Sequence, residues 1–435
     1  MGKLSIVIAG AGYGGLAAAR ALRHHLRALR VIVIDQHDYH LLQFQLHEAA
    51  VNKIDTQALA LPLRDLLPRG VEFIQARITG FDFRSHTVKT DRGDVGYDRL
   101  VIALGGRPAT HNVGGLERAL TLKSLQDARR IRGHLTMTLA SLASSDGARR
   151  PYPIVIGGAG ITGVELAAEL SEGLAELTHE YGLQRGDVPV LLLEAAPNIL
   201  PGFDSETVAE ALSALQRFGV EVHARTSIER VEADRIVVRT GESVQVIETG
   251  TLIWTGGVRA PWLVSNSGLQ VAERGAARVD EHLRSVNEPD VSILGDSASV
   301  RDPRDGQAVM PTGQLAMKQG QYVAHDIVAE IEGRPRWPYT PHLEGLLISL
   351  GGRWGVGYLG PMWVRRWVAR VAKTAAETRY LYYTGGLKLL VRRWLWLRAE
   401  WVSAHRQALR LAGRIAFNLQ LSRRMWSHRA EGKHV

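Results

Sequence analysis

The chain of 435 residues contains no cysteine. That absence excludes disulfides, thiolate metal sites, iron–sulfur clusters, cysteine nucleophiles and redox-active dithiols together. Any electron transfer therefore has to run through a bound organic cofactor. No metal-ligand pattern stands in for the missing thiols, and no metal is expected. Long apolar runs are missing too. The nearest, residues 343–363, is broken by Glu344, Arg353 and several glycines, so a bilayer-spanning helix is not expected. The N-terminal run Leu4–Ala9 meets glycines at once and reads as a first strand, not a secretory leader.

What is abundant is glycine, 45 residues of 435, which suggests repeated close approach of backbone to a ligand. Residues 3–35 read strand, glycine turn, helix, strand (LSIVIAGAGYGG, LAAARALRHHLRAL, RVIVID), and residues 151–194 repeat the plan (YPIVIGGAGITG, VELAAELSEGLAELTHEYG, VPVLLLE). Each is a βαβ unit with a buried, β-branched first strand. The expected fold class is α/β, with two Rossmann-like dinucleotide-binding domains, the second inserted in the first, followed by amphipathic C-terminal helices.

Gly10, Gly12 and Gly15 form GxGxxG directly after a strand and at the start of a helix. The first glycine makes the tight turn, the second lets backbone reach a pyrophosphate, and the third lets helix pack on strand. Asp35 ends the paired strand, where a carboxylate can accept from ribose hydroxyls. Gly158, Gly160 and Gly163 repeat the pattern, and Glu194 ends its paired strand. Two dinucleotide folds in one chain suggest two dinucleotides face to face, and a flavin beside a nicotinamide is the economical pairing. Glu194 is followed by Ala195 and Ala196 with no adjacent arginine for a 2′-phosphate, which favours NADH over NADPH.

These segments, with YDRLVIALGG, LIWTGGV and ILGDSASV, follow the order of the two-dinucleotide-domain flavoprotein reductases. DYHLLQFQLHEAA after Asp35, PTGQLAMKQGQYVA, and the basic C-terminal stretch make the chain resemble the type II NADH dehydrogenases, single-subunit non-pumping NADH:quinone oxidoreductases. The resemblance covers nearly all of residues 3–430. It implies FAD on Gly10, Gly12, Gly15, Asp35, Gly105 and Asp296, and NADH on Gly158, Gly160, Gly163 and Glu194. It also implies a place near the nicotinamide for Glu165, with Glu169 one turn on. Taken alone, Glu165 is also compatible with a solvated carboxylate favoured by the helix dipole. The family's quinone-side motif AQxAxQ reads here Gly313 to Lys318: Gln314 keeps the first glutamine and Lys318 replaces the second. Four residues apart, the two share a helix face. Phe44, His47 and Glu48 stand where the family usually has proline, tyrosine and glutamine. His47 is a candidate proton relay. Lys373 matches a lysine of the family's quinone pocket, or is one more basic residue of a surface helix.

Charge is unevenly spread. Residues 361–435 hold 16 Lys/Arg against 3 Asp/Glu and six of the ten tryptophans, leaving 37 against 41 in the first 360. On a helical wheel Trp363, Val364, Trp367, Val368 and Val371 share one arc, with Arg365, Arg366, Arg370 and Lys373 opposite. Leu390, Trp394, Leu397 and Trp401 form a second stripe. Such helices suit an anionic membrane surface, and nothing suits nucleic acid. The expected organisation is 1–115 and 271–335 for FAD, 116–270 for NADH, and 336–435 for membrane association. The expected function is hydride transfer from NADH to FAD and electron transfer to a membrane quinone, menaquinone or ubiquinone. The enzyme would be peripheral on the cytoplasmic face of the membrane, with a homodimer left open. The alternatives are a soluble NADH-dependent electron-carrier reductase or oxidase, or a flavin redox sensor without turnover.

Overall fold

The computed structural model describes residues 3–144 and 151–395. By compactness the chain divides into Met1–Ala375 and Ala376–Val435. The first unit begins with β1 (Leu4–Ala9), α1 (Tyr13–Ala21) and β2 (Leu29–Asp35), followed by the short helix α2 (Leu46–Ala50), β3 (Glu72–Gln75) and β4 (Arg99–Ile102). β1 lies between β2 and β4, β3 flanks β2, and Val291–Ile293 from later in the chain closes the other edge of this five-stranded parallel sheet. Alternation along β1 sends Ile6 and Ile8 to one core and Val7 and Ala9 to the other. A parallel sheet covered on both faces needs this continuous apolar run.

A second five-stranded parallel sheet follows the same plan. Its elements are β5 (Leu120–Thr121), α3 (Leu125–Ser144), β6 (Ile154–Gly157), α4 (Ile161–Glu180), β7 (Val190–Leu193), α5 (Ser205–Arg217), β8 (Val220–His223) and β9 (Leu252–Trp254). β6 takes the place of β1, with β7 and β9 as neighbours and β8 and β5 at the edges. The chain then returns to the first sheet as β10 (Val291–Ile293) and continues into α6 (Gly313–Ile331), which packs along α1. That crossing is close because it runs over glycines. A Cβ on Gly14 would lie 2.1 Å from Leu294 Cδ1, and one on Gly320 2.1 Å from the Gly14 carbonyl oxygen.

Residues 345–365, within the stretch expected as amphipathic C-terminal helices, instead form an antiparallel sheet of β11 (Gly345–Leu350), β12 (Trp354–Leu359) and β13 (Met362–Arg365). Trp363 and Val364 therefore sit on a strand, and the helix starts only at residue 366. The wheel pattern failed there because a short apolar stretch fits both periods. From Trp367 on, the apolar arc faces solvent, with Trp367, Val368 and Val371 at 68%, 42% and 59% exposure, whereas the basic arc expected on anionic lipid turns inward: Lys373 is buried and Arg370 pairs with Glu48. In the second unit, residues 376–395 are helical, with Tyr382, Leu387, Val391, Trp394 and Leu395 exposed. Leu397 and Trp401 lie outside the described residues. Among the described residues no helix is long and apolar enough to cross a membrane.

Candidate active site

The first glycine turn is built by backbone hydrogen bonds. The Gly10 N–H donates to Ile34 O at 2.8 Å and the Ala11 N–H to Asp35 Oδ2 at 2.7 Å. Gly10 adopts φ +103°, and a Cβ there would lie 2.5 Å from Ala103 O. Gly15 is equally constrained, since a Cβ would sit 1.9 Å from the Gly10 oxygen. Gly12 is different: it caps α1 without a side-chain bond, and a Cβ on it would meet nothing within 4 Å. The first N–H groups of α1 thus open onto free space, which is what a pyrophosphate needs. Asp35 also accepts the His37 N–H at 2.8 Å, and its carboxylate keeps lone pairs for ribose hydroxyls.

The second turn has the same construction. The Gly158 N–H donates to Leu193 O at 2.8 Å, and the Ala159 N–H to Glu194 Oε2 at 2.6 Å. A Cβ on Gly163 would lie 1.9 Å from Gly158 O, while Gly160 again caps its helix with nothing within 4 Å of a Cβ. Glu194 Oε1 accepts the Ala196 N–H at 2.9 Å. Both cradles fit a dinucleotide.

Past the C-terminal end of β4, Gly105 adopts φ +66° and its carbonyl accepts Ser297 Oγ at 3.0 Å. Asp296 packs so tightly on the next residue that a Cβ on Gly106 would lie 2.7 Å from Asp296 Oδ2. The same carboxylate faces Lys123 Nζ at 3.5 Å. Gln319, buried on α6, accepts the Gly295 N–H at 2.7 Å through Oε1. Gln319 lies one residue past the AQxAxQ pattern, which ends at Lys318, so that pattern carries no signal for it. Gln314 and Lys318 share a helix face as expected, and both turn to residues 342–344: Gln314 Oε1 accepts the Glu344 N–H at 2.9 Å. Lys318 Nζ donates to His342 O at 3.0 Å and pairs with Glu344 Oε1 at 3.1 Å.

Glu165 and Lys373 meet. Both are over 90% buried and they form a direct ion pair. Glu165 Oε1 also accepts the Ser349 N–H at 2.9 Å and Ser349 Oγ at 3.1 Å, and Lys373 Nζ donates to Ser349 Oγ at 3.1 Å. Burial alone would push the Glu165 carboxyl up. The facing Lys373 ammonium and His47 imidazole, with the hydrogen bonds from Lys373 and Ser349, hold it below the ordinary glutamate value. Glu165 is therefore no solvated helix carboxylate. Ser349, at the end of β11, and its role here had no signal in the sequence, because its partners lie 184 and 24 residues away.

Further along α4, Glu169 and Glu172 both bind Lys53, and Glu48 on α2 pairs with Arg370 at 3.0 Å. Burial opposes the charge on Lys53, but Glu169 and Glu172 raise its pKa above the ordinary lysine value. Burial likewise opposes ionisation of Glu172, which the bonds from Lys53 and the Gly352 N–H reverse. His47, Glu48 and Glu169 bring three ligand-type atoms within 4.8 Å of one another. Lys53 and Arg370 already neutralise both of those carboxylates, which is a poor setting for a dication.

The model of the family described as pyridine nucleotide-disulphide oxidoreductase matches residues 4–320. The type II NADH:quinone oxidoreductase of Staphylococcus saprophyticus is 30% identical over 396 residues, spanning 90% of this chain and 98% of its own length. That of Staphylococcus haemolyticus is likewise 30% identical over 396 residues, with the same coverage. Among solved structures, NDH2 from Plasmodium falciparum in complex with NADH superposes with a TM-score of 0.81 at 16% identity, over 90% of this chain and 97% of that one. The sulfide:quinone oxidoreductase of Aquifex aeolicus gives 0.74 at 20%, over 88% and 91%. At such identities the likeness is one of fold.

Proposed function

The chain belongs to the pyridine nucleotide-disulphide oxidoreductase family and, within it, to the type II NADH:quinone oxidoreductases, and from that premise we propose that it moves two electrons from NADH through FAD to a membrane quinone without pumping protons. The enzyme is an NADH:quinone oxidoreductase with FAD and NADH as cofactors. The observation that carries the proposal is the pair of matched cradles in a chain without cysteine, which leaves the two dinucleotides as the redox carriers. The dithiol chemistry in the family's name is not open to this member.

Bound FAD supplies the acceptor for the hydride and the donor for the quinone. The α1 N-terminus would hold its pyrophosphate and Asp35 its ribose, with Gly105 and Asp296 lining the ribityl side. The α4 N-terminus and Glu194 would hold NADH. A carboxylate already tied to two backbone N–H groups accepts from a 2′-hydroxyl and repels a 2′-phosphate. Glu165 would border the nicotinamide where the two rings stack, its ion-pair partner Lys373 would reach from there to the quinone side, and Gln314 and Lys318 would line that side. Residues 1–115 and 271–335 serve FAD, and 116–270 serve NADH.

Within 336–435 the membrane contact begins at Trp367, where an apolar face stands exposed while the basic side turns inward to Glu48 and Glu165. Arg365 and Arg366, half exposed, would add about 1 kcal/mol each on an anionic surface. The cytoplasmic face is where NADH is available.

Anaerobic stopped-flow tests the proposal. NADH should bleach the bound flavin, and short-chain menaquinone or ubiquinone should restore the absorbance. Full bleaching that neither quinone reverses would contradict it.

A further inference from the structure

The second cradle is held by the segment that connects β7 to α5. At Ala159, between the first two glycines of the turn, the N–H donates to Glu194 Oε2 at 2.6 Å and the carbonyl accepts the Leu200 N–H at 2.8 Å. Both partners belong to that segment. We infer that the segment, and with it the affinity for the nicotinamide dinucleotide, is positioned by the C-terminal sheet β11–β13 acting through α5. The inference rests on the assignment of the second cradle to NADH and adds residues 351–366 to that site, a stretch the sequence placed with the membrane region.

α5 has two opposite faces. Ser205, Val208, Ala209 and Leu212 turn toward residues 196–203 and line with them a cleft of about 560 Å³, which leaves the segment little packing on that side. Leu200 nevertheless adopts φ +51°, a left-handed conformation that a residue other than glycine keeps only where its surroundings impose it. The constraint therefore comes through the ends of the segment. The near end is tied at Ala196, whose carbonyl accepts the Arg225 N–H at 3.0 Å. The far end is Asp204, the N-cap of α5, which accepts the Thr207 N–H at 2.9 Å.

Asp204, Thr207, Glu210 and Arg217 lie on the other face, and each meets the sheet or the residue that follows it. The Tyr358 hydroxyl donates to the Asp204 carboxylate, which raises the tyrosine pKa above its ordinary value. Trp363 Nε1 donates to Oγ1 of the fully buried Thr207 at 3.2 Å. Glu210 faces Arg365 at 3.5 Å and Arg366 at 3.9 Å. The Arg217 guanidinium lies 4.8 Å from the centre of the Trp354 ring, a cation–π contact. Phe218, just past the helix, comes so close to Gly351 that a Cβ there would lie 2.8 Å from its Cζ. α5 is thus fastened to the sheet from its cap to its last turn. The first cradle is held differently, its Ala11 oxygen being bonded by His40. Trp354, Tyr358 and Trp363 act through α5 and are positioning residues.

The test uses the full-length FAD-loaded protein and the variants Thr207→Val, Thr207→Ser and the double Tyr358→Phe/Trp363→Phe. NAD⁺, which binds the same cradle without reducing the flavin, is titrated calorimetrically. NADH KM, kcat with menaquinone vesicles, FAD content, sedimentation with anionic vesicles and Tm are measured on the same preparations. Removing two hydrogen bonds of ordinary net strength should raise the NAD⁺ Kd and the NADH KM about tenfold in the double variant, and removing one about threefold in Thr207→Val. In both, kcat, FAD content and vesicle binding should stay unchanged. Thr207→Ser keeps the acceptor oxygen and should bind NAD⁺ like the wild type. Unchanged NAD⁺ affinity in the double variant would overturn the inference. So would losses of FAD, kcat and NAD⁺ binding that all follow a lowered Tm. Should the double variant fail to fold, Thr207→Val decides by the same outcomes. Wild-type protein that binds no NAD⁺ would overturn the assignment of the second cradle and this inference with it. Failure of quinone to reoxidise the flavin would overturn only the quinone half of the proposed function.

Discussion

The two glycine cradles are near copies, yet the helices behind them differ. In both, the first glycine donates 2.8 Å to the paired strand and the next N–H reaches a terminal acid at 2.7 or 2.6 Å. Behind the first cradle α1 carries Gly14, Ala17 and Ala21; behind the second, the corresponding positions of α4 are Thr162, Glu165 and Glu169. α6 closes over Gly14 so tightly that no side chain fits, whereas Thr162 is exposed. The same backbone geometry therefore has two settings: one covered by α6, as the proposed resident FAD would need, and one open and backed by buried charge, as the proposed exchanging NADH would need.

Removing the buried charge should have the largest effect. Glu165→Ala leaves the Lys373 ammonium buried without its counterion, and breaking such a pair costs about 3–5 kcal/mol. Ala17→Gly at the matching position should cost only about 1 kcal/mol. Chemical denaturation checks both, and the double variant Glu165→Gln/Lys373→Met should recover much of the loss. Equal losses at both positions would break the comparison.

Exchanging the covered and open positions comes next. Gly14→Thr drives a side chain into Leu294 and the Ala316 carbonyl, an overpacking of about 3 kcal/mol that should appear as a lowered Tm and poor flavin retention. Thr162→Gly should cost less than about 1 kcal/mol.

Acid should also separate the cradles. The Ala11 oxygen accepts from His40 Nδ1 at 3.1 Å, whereas the matching Ala159 oxygen accepts the Leu200 N–H at 2.8 Å. Burial pushes His40 down from 6.5 to about 4, although its bond to Ala11 opposes the shift. The unfolded chain therefore binds this proton more readily. The stability tied to the neutral ring is complete above pH 6.5 and is lost as pH falls toward 4, by roughly 3 kcal/mol. Denaturation midpoints across that range should show the loss, and His40→Gln should flatten it.

The last effect concerns a helix outside both cradles. Asp204 caps α5 by accepting the Thr207 N–H at 2.9 Å. Asp204→Ala should cost about 1 kcal/mol in urea unfolding, a cap that Gly12 and Gly160 do not have to lose.

Much of this was legible in the sequence. The turn geometry at Gly10, Gly12, Gly15 and Asp35, and at their counterparts in 158–194, needed only local spacing, because such a turn is made by neighbouring backbone. The charge cluster was not legible. Glu165 reads as an ordinary first-turn acid until Lys373, 208 residues later, and Ser349, 184 later, fold onto it. The strands at 345–365 were obscured by their glycines, of which Gly357 lies so close to β11 that a Cβ would sit 1.9 Å from Leu346 O. Lys318 was placed on the right helix face, but its partner Glu344 could not be named from spacing.

The division between a resident and an exchanging cofactor is tested most directly by adding one methyl group to each open cradle. Gly12→Ala and Gly160→Ala meet no protein atom within 4 Å, so each should fold normally and obstruct only its own dinucleotide. Flavin content after purification and NADH affinity, measured on both proteins, should separate them. Gly12→Ala should lose bound FAD, while Gly160→Ala should keep it and bind NADH about tenfold more weakly. Loss of FAD from Gly160→Ala, or full FAD with weakened NADH in Gly12→Ala, would contradict the assignment.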